Sequence, residues 1–260
     1  MAQLRDKVAI VTGAAGGLGS ETCRRLVAEG ARVVVADING PGAEQLAGEL
    51  GDAAVAYRFD ARDESQVRAL VDSTVDRFGR LDLLHNNAVL SGPRDGMVED
   101  AEADVWDTAY EINLRGYMFG CKHAIPHMRK AGRGVIVNMA SDSALAGDMM
   151  LTAYGCTKAA VITLTQYVAT QYGKEGIRCV SVTPGAMLTD SMRNHMGPEG
   201  VAMLENHHLT PRLGKPSDLA GLIVYLASDD AEFLTGINIP LDGGYYSHLP
   251  TTADLRRARR

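Results

Sequence analysis

Tyr154 and Lys158 are four residues apart, the spacing that places two side chains on one face of a helix. Tyrosine has an ordinary pKa of about 10, so it is a poor base at neutral pH. A nearby ammonium favours the phenolate and lowers that pKa, which gives the pair the residue types of a tuned acid/base. The spacing alone is common, and its significance depends on where the fold places it.

Ser141 stands thirteen residues before Tyr154, just after an apolar run that ends at residues 137–139. Open α/β sheets bind their ligands beyond the carboxyl ends of the strands. A serine hydroxyl at such a strand end could hydrogen-bond a reacting oxygen, or it could simply cap the strand. Asp142 and Ser143 are its neighbours, with weaker claims to either role.

Glycines are concentrated in segment 12–19, which reads TGAAGGLG and follows the apolar run at 8–12. Glycine allows the backbone to approach a pyrophosphate, and the N-terminus of the next helix offers free N–H groups and a positive dipole end. A glycine cluster by itself also marks ordinary turns. Asp37 ends the second apolar run at the distance that the dinucleotide-binding fingerprint requires. Together these features predict a dinucleotide site on Gly13, Gly16, Gly17 and Gly19.

Asp37 also indicates which cofactor binds. Its carboxylate can accept hydrogen bonds from the adenosine ribose hydroxyls, and it would repel a 2′-phosphate. Neighbours that could supply a cation for such a phosphate, Ala14, Ala15 and Ile38, are uncharged. The sequence therefore favours NAD over NADP.

Short β-branched runs alternate along the chain with longer helical patterns, which predicts a doubly wound parallel sheet of about seven strands with helices on both faces, a Rossmann-type α/β fold. The predicted strands are 8–12, 32–36, 54–59, 81–86, 134–139, 178–183 and 236–240. The predicted helices are 17–29, 43–50, 64–78, 104–130, 153–173 and 216–227.

The composition is that of a water-soluble globular protein. The chain has 260 residues, 46% of them apolar, and a formal net charge of −6, which argues against nucleic-acid binding. No segment has the length of a membrane span or of a signal-peptide core. The four cysteines are widely spread without metal-ligand spacing, so we expect a cytoplasmic enzyme with reduced thiols and no metal.

We expect a single domain over residues 1–260, with two segments that depart from the strand–helix alternation. Segment 189–215 is rich in Met, His and Asn and contains Gly197, Pro198 and Pro211. A long connection of this kind in a compact domain usually serves function, and we interpret it as closing over a substrate. Segment 250–260 ends in an arginine-rich run, which we interpret as a flexible basic tail.

With these features together, the sequence closely resembles the short-chain dehydrogenase/reductase family in its single-domain form of roughly 250 residues. The resemblance spans residues 7–246. The residues that carry it are the turn at 12–19, Asp60, Asn86-Asn87-Ala88, Asn113, Ser141, Tyr154 with Lys158, Pro184-Gly185 with Thr189, and Asp242-Gly243-Gly244.

The resemblance implies a catalytic set of four residues. Tyr154 would be the general acid/base, and Lys158 would lower its pKa and hold the nicotinamide ribose. Ser141 would orient the substrate oxygen, while Asn113 would kink its helix and seat a water that links Lys158 to solvent. The implied cofactor contacts are Gly13, Gly16, Gly17, Leu18, Gly19, Asp37, Ile38, Asp60, Ala61, Asn87, Ala88, Val89, Tyr154, Lys158, Pro184, Gly185, Leu188 and Thr189.

Val89 departs from the family pattern, in which a glycine usually follows the Asn-Asn-Ala run. A β-branched residue disfavours positive φ and adds bulk beside the cofactor. The departure bears on the loop after the fourth strand and leaves the four catalytic positions unchanged.

The methionine-rich segment 189–215 favours a bulky or apolar secondary alcohol or ketone, such as a hydroxysteroid or a terpenoid. The expected substrate contacts are Ser141, Ser143, Met149, Tyr154, Ala186, Met192 and Met196. Polar residues in the same segment, including Asn194 and His207, keep a sugar or polyol substrate open, and the methionines could equally pack ordinary helices.

Other classes of function fit the sequence less well. A non-catalytic NAD-binding sensor would be expected to lack the tyrosine or the lysine, and this chain has both. Nucleotide-sugar epimerases of related fold need a longer C-terminal domain, and enoyl reductases of related fold space the tyrosine and lysine further apart. The family resemblance also implies a homotetramer built on the long helices.

Overall fold

A computed structural model describes residues 3–92 and 94–258 of the chain. Seven parallel strands form one sheet in the order β3-β2-β1-β4-β5-β6-β7. The strands are β1 (Val8–Thr12), β2 (Arg32–Asp37), β3 (Ala54–Arg58), β4 (Leu83–Asn86), β5 (Gly134–Met139), β6 (Ile177–Pro184) and β7 (Asn238–Leu241). The predicted doubly wound α/β fold is therefore confirmed.

Helices cover both faces of the sheet. They are α1 (Gly17–Ala28), α2 (Gly40–Leu50), α3 (Glu64–Phe78), α4 (Ala103–Tyr110), α5 (Gly116–Ala131), α6 (Thr152–Tyr172), α7 (Asp190–His207), α8 (Pro216–Ala227) and α9 (Thr252–Ala258). Helices α1, α2 and α8 pack on one face, and α3, α5 and α6 pack on the other. Each face has its own apolar core.

Strand β2 shows why the strands read as continuous apolar runs. Val33 and Val35 belong to the core beneath α1 and α8, whereas Val34 and Ala36 belong to the core beneath α3 and α5. Successive side chains of a strand point to opposite faces, so a strand covered on both sides needs apolar residues at every position.

Two predicted helices differ by more than one residue from the observed bounds, for local reasons. Helix α2 begins at Gly40 rather than at residue 43, because the side chain of Asn39 accepts a hydrogen bond from the Gly42 N–H and Pro41 is tolerated in a first helical turn. The predicted helix 104–130 is interrupted by a π-helical turn at Glu111–Arg115, which separates α4 from α5. Such a turn carries an extra residue and often occurs at functional sites.

No regular element was predicted in segment 189–215, yet it contains α7. The helix is broken at Gly197, whose backbone is left-handed at φ 63°, and this break hides the helical periodicity in the sequence. The two ends of the segment meet, because Met187 pairs with Gly214 and the Leu188 N–H donates to the Gly214 carbonyl at 2.7 Å. The segment therefore forms a closed excursion between the end of β6 and the start of α8.

The C-terminal segment packs near the end of α7. Helix α9 carries Arg256, whose guanidinium donates to the His208 carbonyl at 3.0 Å. Residues 259 and 260 of the predicted basic tail lie outside the described residues. Among the helices of residues 3–92 and 94–258, none combines the length and the apolar character required of a membrane span.

Candidate active site

A large cleft of about 850 Å³ opens at the carboxyl ends of β1 and β4. The order of the strands reverses between these two, and open α/β sheets bind ligands at such switch points. Thirteen of the predicted cofactor residues line this cleft: Gly13, Gly16, Gly17, Leu18, Gly19, Asp37, Ile38, Asp60, Ala61, Asn87, Ala88, Val89 and Thr189.

Two glycines of the turn allow a close approach that no side chain would permit. Gly13 has φ 63°, and a Cβ there would lie 2.7 Å from the Ala88 Cα. A Cβ on Gly19 would lie 2.3 Å from the Gly13 carbonyl oxygen. The glycines thus bring the turn against the end of β4 and leave the start of α1 open to the cleft, which is the geometry that a pyrophosphate needs.

Asp37 is 8% exposed and lies at the rim of the large cleft. Its two carboxylate oxygens accept the backbone N–H groups of Ala15 and Asn39, each at 2.9 Å. These bonds fix the carboxylate at the position that the sequence predicted for ribose recognition, and each oxygen keeps further acceptor capacity.

Asp60 also lines the large cleft, but its carboxylate already has a strong partner. The Arg62 side chain donates hydrogen bonds to both oxygens, at 2.6 to 3.0 Å, and these bonds lower the pKa of Asp60. The charge of Arg62 is therefore paired with a carboxylate where it borders the cleft. Among the described residues that line the cleft, Arg62 is the one basic side chain, so an unpaired cation for a 2′-phosphate is lacking there.

A second cavity of about 350 Å³, the Tyr154 cavity, adjoins the large cleft. Leu18, Asn87, Val89 and Thr189 line both spaces. The predicted site residues that line the Tyr154 cavity are Ser141, Tyr154, Lys158, Pro184, Gly185, Ala186 and Met192. The predicted catalytic tyrosine, lysine and serine therefore meet in one place, next to the predicted dinucleotide site.

Lys158 reaches this cavity from α6, with 1% of its surface exposed. Its Nζ donates to the Met139 carbonyl at 2.7 Å and to the Tyr117 hydroxyl at 3.1 Å. Burial lowers the pKa of Lys158 to about 7. An ammonium has three N–H donors, so one remains for a ligand in the cavity.

Tyr154 lies one helical turn before Lys158, whose Nζ is 5.7 Å from the centre of the Tyr154 ring. Burial raises the pKa of Tyr154, its hydrogen bond with Ser141 lowers it, and the nearby charge of Asp142 raises it. In the protein alone the phenol is therefore the favoured form.

Asn113 is fully buried at the centre of the π-helical turn. Its side-chain amide makes a reciprocal pair of bonds with Leu90, accepting from the Leu90 N–H at 2.8 Å and donating to the Leu90 carbonyl at 2.9 Å. It also donates to the Thr157 hydroxyl at 3.4 Å. Asn113 thus ties the loop after β4 to α6.

Val89, which replaces the family glycine, takes a place between the two spaces. It is 51% exposed, lines both of them, and is not among the described residues with positive φ. The loop after β4 therefore accepts a β-branched residue without left-handed backbone, and this residue borders both the cleft and the cavity.

Five predicted residues line neither space: Asn113, whose amide is bonded to Leu90 and Thr157, and four others. Leu188 is held by its backbone bond to Gly214, and Met149 is 72% exposed. The Ser143 N–H donates to Ser141 and Asp142, whereas Met196 lies on α7 beside Gly200. Met187 and Leu204 line the Tyr154 cavity instead and supply part of its apolar wall.

Sequence reasoning missed Tyr117 and Asp95. Tyr117 follows Asn113 by four residues, so helical spacing could have placed it toward the same site. Asp95 accepts the N–H groups of Ala153 and Tyr154 at the start of α6, at 2.9 and 2.8 Å. No local pattern connects residues this far apart in sequence.

The geometry defines a dinucleotide-binding oxidoreductase, and comparison with known proteins specifies the family. A family model described as "Enoyl-(Acyl carrier protein) reductase" matches residues 13–246. A 7alpha-hydroxysteroid dehydrogenase of Bacteroides fragilis is 41% identical over 96% of this chain and 98% of its own length. A cis-4-hydroxycyclohexanecarboxylate dehydrogenase of Sinomonas cyclohexanicum is 37% identical over 92% and 96%, respectively. A D-threitol dehydrogenase of Mycolicibacterium smegmatis is 36% identical over 94% of each chain.

The chain belongs to the short-chain dehydrogenase/reductase family, and it is an oxidoreductase. The resemblance found in the sequence is thereby confirmed, and the non-catalytic sensor loses its support. The description of the family model names an enoyl reductase, whereas the three relatives are named as dehydrogenases of hydroxylated compounds.

Proposed function

We propose that this oxidoreductase transfers a hydride between NAD(H) and a secondary alcohol or its ketone, with Tyr154 as the general acid/base. The observation that carries the proposal is that Ser141, Tyr154 and Lys158 line one cavity, which shares four wall residues with the large cleft. A proton-transfer group and a dinucleotide site side by side are what alcohol oxidation requires.

Ser141, Tyr154 and Lys158 would each have a separate role in the reaction. The residues that line the large cleft would hold NAD⁺, and the bound cofactor would supply the acceptor for the hydride of the alcohol carbon. Ser141 would hold the alcohol oxygen, and Tyr154 would take its proton. Lys158 would use its remaining N–H for the nicotinamide ribose, and its charge would offset the cost of ionising Tyr154. Bound NAD⁺ would supply a further positive charge near Tyr154.

NAD rather than NADP is supported by Asp37. Its carboxylate is fixed at the cleft rim, and a 2′-phosphate would meet this negative charge while Arg62 is occupied by Asp60. The variant Asp37→Ala is expected to lower the ratio of kcat/KM with NAD to kcat/KM with NADP. An unchanged ratio would contradict the assigned role.

A bulky or apolar alcohol is supported by the walls of the Tyr154 cavity. Met187, Met192 and Leu204 line it, and methionine side chains adapt to irregular apolar surfaces. Relatives named for a hydroxysteroid and for a hydroxylated cyclohexane point to ring alcohols. A polyol is the second candidate, favoured by the carboxylate of Asp142 in the same cavity and by the relative named for D-threitol.

The experiment is a screen for NADH formation with hydroxysteroids, terpenols, cyclohexanols and polyols, with Tyr154→Phe measured beside the wild type. Turnover should fall by about a hundredfold or more in the variant, since general acid/base catalysis contributes on that order. The Kd for NAD should stay nearly unchanged because the substitution removes a single hydroxyl and leaves every residue that lines the large cleft in place. Retained turnover in Tyr154→Phe would refute the mechanism.

The proposal extends to a homotetramer that acts in the cytoplasm. Exposed aromatic side chains on α4 and α6, among them Trp106, Tyr110 and Tyr167, supply apolar surface for subunit contacts. The four cysteines are all unpaired, as in a reducing compartment. Light scattering of the purified protein tests the tetramer.

A further inference from the structure

Asp142 brings a carboxylate into the wall of the Tyr154 cavity. It directly follows Ser141 and opens a short 3-10 turn, Asp142–Ala144. Its backbone carbonyl accepts the Tyr246 hydroxyl at 3.3 Å, which anchors the turn to the C-terminal segment. Nothing in the proposed proton transfer requires an acidic residue at this place.

Among the described residues, hydrogen-bond donors engage one of the two carboxylate oxygens. Oδ1 accepts the Ser141 hydroxyl at 3.0 Å and the Ser143 N–H at 2.9 Å, which fixes the orientation of the group. Oδ2 accepts no hydrogen bond from the part of the chain that the structure describes, and no described cation pairs with the carboxylate. Asp142 is half-buried and lines the cavity, so Oδ2 is an acceptor that a ligand in the cavity can reach.

The carboxylate also opposes the proposed catalysis. Burial raises the pKa of Asp142, and when ionised its charge raises the pKa of Tyr154. A negative charge beside a tyrosine that must become a phenolate slows alcohol oxidation. A residue at a functional site that opposes the catalytic step usually has another function that compensates for this cost.

We propose that Asp142 binds a second hydroxyl group of the substrate, on the carbon next to the reacting one or one carbon further. This inference rests on the proposed function and refines its substrate class. The Ser141 hydroxyl contacts the Asp142 carboxylate directly, so a reacting oxygen on Ser141 and a donor on Oδ2 must belong to neighbouring parts of one molecule. The site thus selects 1,2- or 1,3-diol units within a ring alcohol and repels a carboxylate at the same positions.

The test compares cyclohexanol with the cis and trans forms of cyclohexane-1,2-diol and cyclohexane-1,3-diol. For at least one diol we expect kcat/KM with NAD to exceed that of cyclohexanol by about tenfold or more, the value of a hydrogen bond to a charged group. In Asp142→Ala the ratio of kcat/KM for the diol to kcat/KM for cyclohexanol should fall to about one. The ratio is the readout because loss of the Asp142 contact to Ser141 would affect both substrates alike.

Asp148→Asn is the matched control, because it removes one negative charge from an exposed residue that does not line the cavity. It should keep the wild-type ratio. Should the screen identify an alcohol other than these, the same compounds are measured as competitive inhibitors of its turnover, and the ratio of inhibition constants takes the place of kcat/KM.

The two levels of the proposal fail differently. The enzyme could oxidise alcohols and yet show a kcat/KM ratio near one for every diol, or the same ratio in Asp142→Ala as in the wild type. Either result would exclude the second-hydroxyl site, while the proposed function would stand. A wild type that oxidises no alcohol with NAD overturns the proposed function itself.

Discussion

Lys158 holds its ammonium in a site that is 1% exposed to solvent. Its pKa is lowered to about 7 by burial, so the charged and neutral forms are close in free energy at neutral pH. Each acceptor that remains shifts this balance toward the charged form. Met139 supplies a backbone carbonyl that no substitution removes, and Tyr117 supplies a hydroxyl that can be removed alone.

Tyr117→Phe is expected to move the pH profile of alcohol oxidation. The variant keeps the ring, which lies 4.8 Å from Nζ, but loses the hydroxyl acceptor. The pKa of Lys158 should then fall further, less ammonium would support ionised Tyr154, and the acidic limb of kcat/KM should shift to higher pH. Tyr110→Phe on α4 is the control, since that residue is 47% exposed. Superimposable profiles for Tyr117→Phe and the wild type would contradict this role.

For individual residues, the sequence predicted the reacting groups more accurately than it predicted the groups that position them. Tyr154 and Lys158 stand out because their types and spacing are chemically suggestive on their own. Tyr117 resembles an ordinary core aromatic, and its hydroxyl gains meaning only when α5 and α6 are packed together. The role of Asp142 likewise depends on which of its oxygens the fold occupies.

Helix α6 begins without a cap of its own. Leu151, at its N-cap, has left-handed backbone at φ 61° and a side chain that accepts nothing. The first N–H groups of any helix need acceptors from elsewhere, and here Asp95 in the loop after β4 provides both carboxylate oxygens. A negative charge at that end also suits the helix dipole. The helix that presents Tyr154 is thereby fixed from a distant part of the chain.

Asp95→Ala is expected to lower both stability and turnover. Loss of a helix cap costs about 1 kcal/mol, and the freed Tyr154 N–H would loosen the first turn of α6. Urea unfolding and kcat are the measurements. The matched control is Asp63→Ala, because Asp63 caps α3 through the Ser65 and Gln66 N–H groups, away from the site. Equal losses of stability with unchanged kcat in both variants would show that Asp95 is a structural cap alone.

The elements were predictable where the hydrophobic period is regular, as in α3 and α8, whose bounds match those predicted. Helix α7 was not, because the break at Gly197 and the following Pro198 erase its periodicity. The π-helical turn at Glu111–Arg115 leaves no local trace either, since the residues around it continue a helical pattern.

In the centre of the sheet, β4 buries a histidine. His85 is 0% exposed, its Nδ1 lies 3.3 Å from the Val137 carbonyl, and its Nε2 has no hydrogen-bond partner among the described residues. Burial lowers the pKa of His85 to about 4. Between pH 6.5 and 4 the unfolded chain therefore binds a proton that the folded chain does not, so stability falls as the pH falls through this window.

The whole molecule should be sensitive to acid for this reason. The total loss assignable to His85 is about 3 kcal/mol, of which about 2 kcal/mol appears between pH 7 and pH 5. Urea unfolding of His85→Asn at these two pH values should show a smaller difference than the wild type by that amount. His127→Gln, on the surface of α5 beside Asp72, should keep the wild-type difference. An identical pH dependence in His85→Asn would assign the acid sensitivity to other groups.

For the molecule as a whole, the alternation of strands and helices was enough to predict a doubly wound sheet, because few topologies satisfy right-handed crossovers. The hydrophobic pattern of a strand does not indicate which strands lie beside it in the sheet. Strand β1, for example, pairs with β4, with Ala9 beside Leu83 and Ile10 beside Leu84. This pairing is seen only in the assembled sheet.

The pairing of Met187 with Gly214 has a consequence for how this chain can be redesigned. Because Met187 and Gly214 pair with each other between the end of β6 and the start of α8, the two ends of the excursion are held side by side. Loop closure becomes only slowly more costly with length. Residues 188–213 therefore form a cassette, and the corresponding stretch of another dehydrogenase could be transplanted between Met187 and Gly214 to change the alcohol accepted, with the catalytic residues left in place.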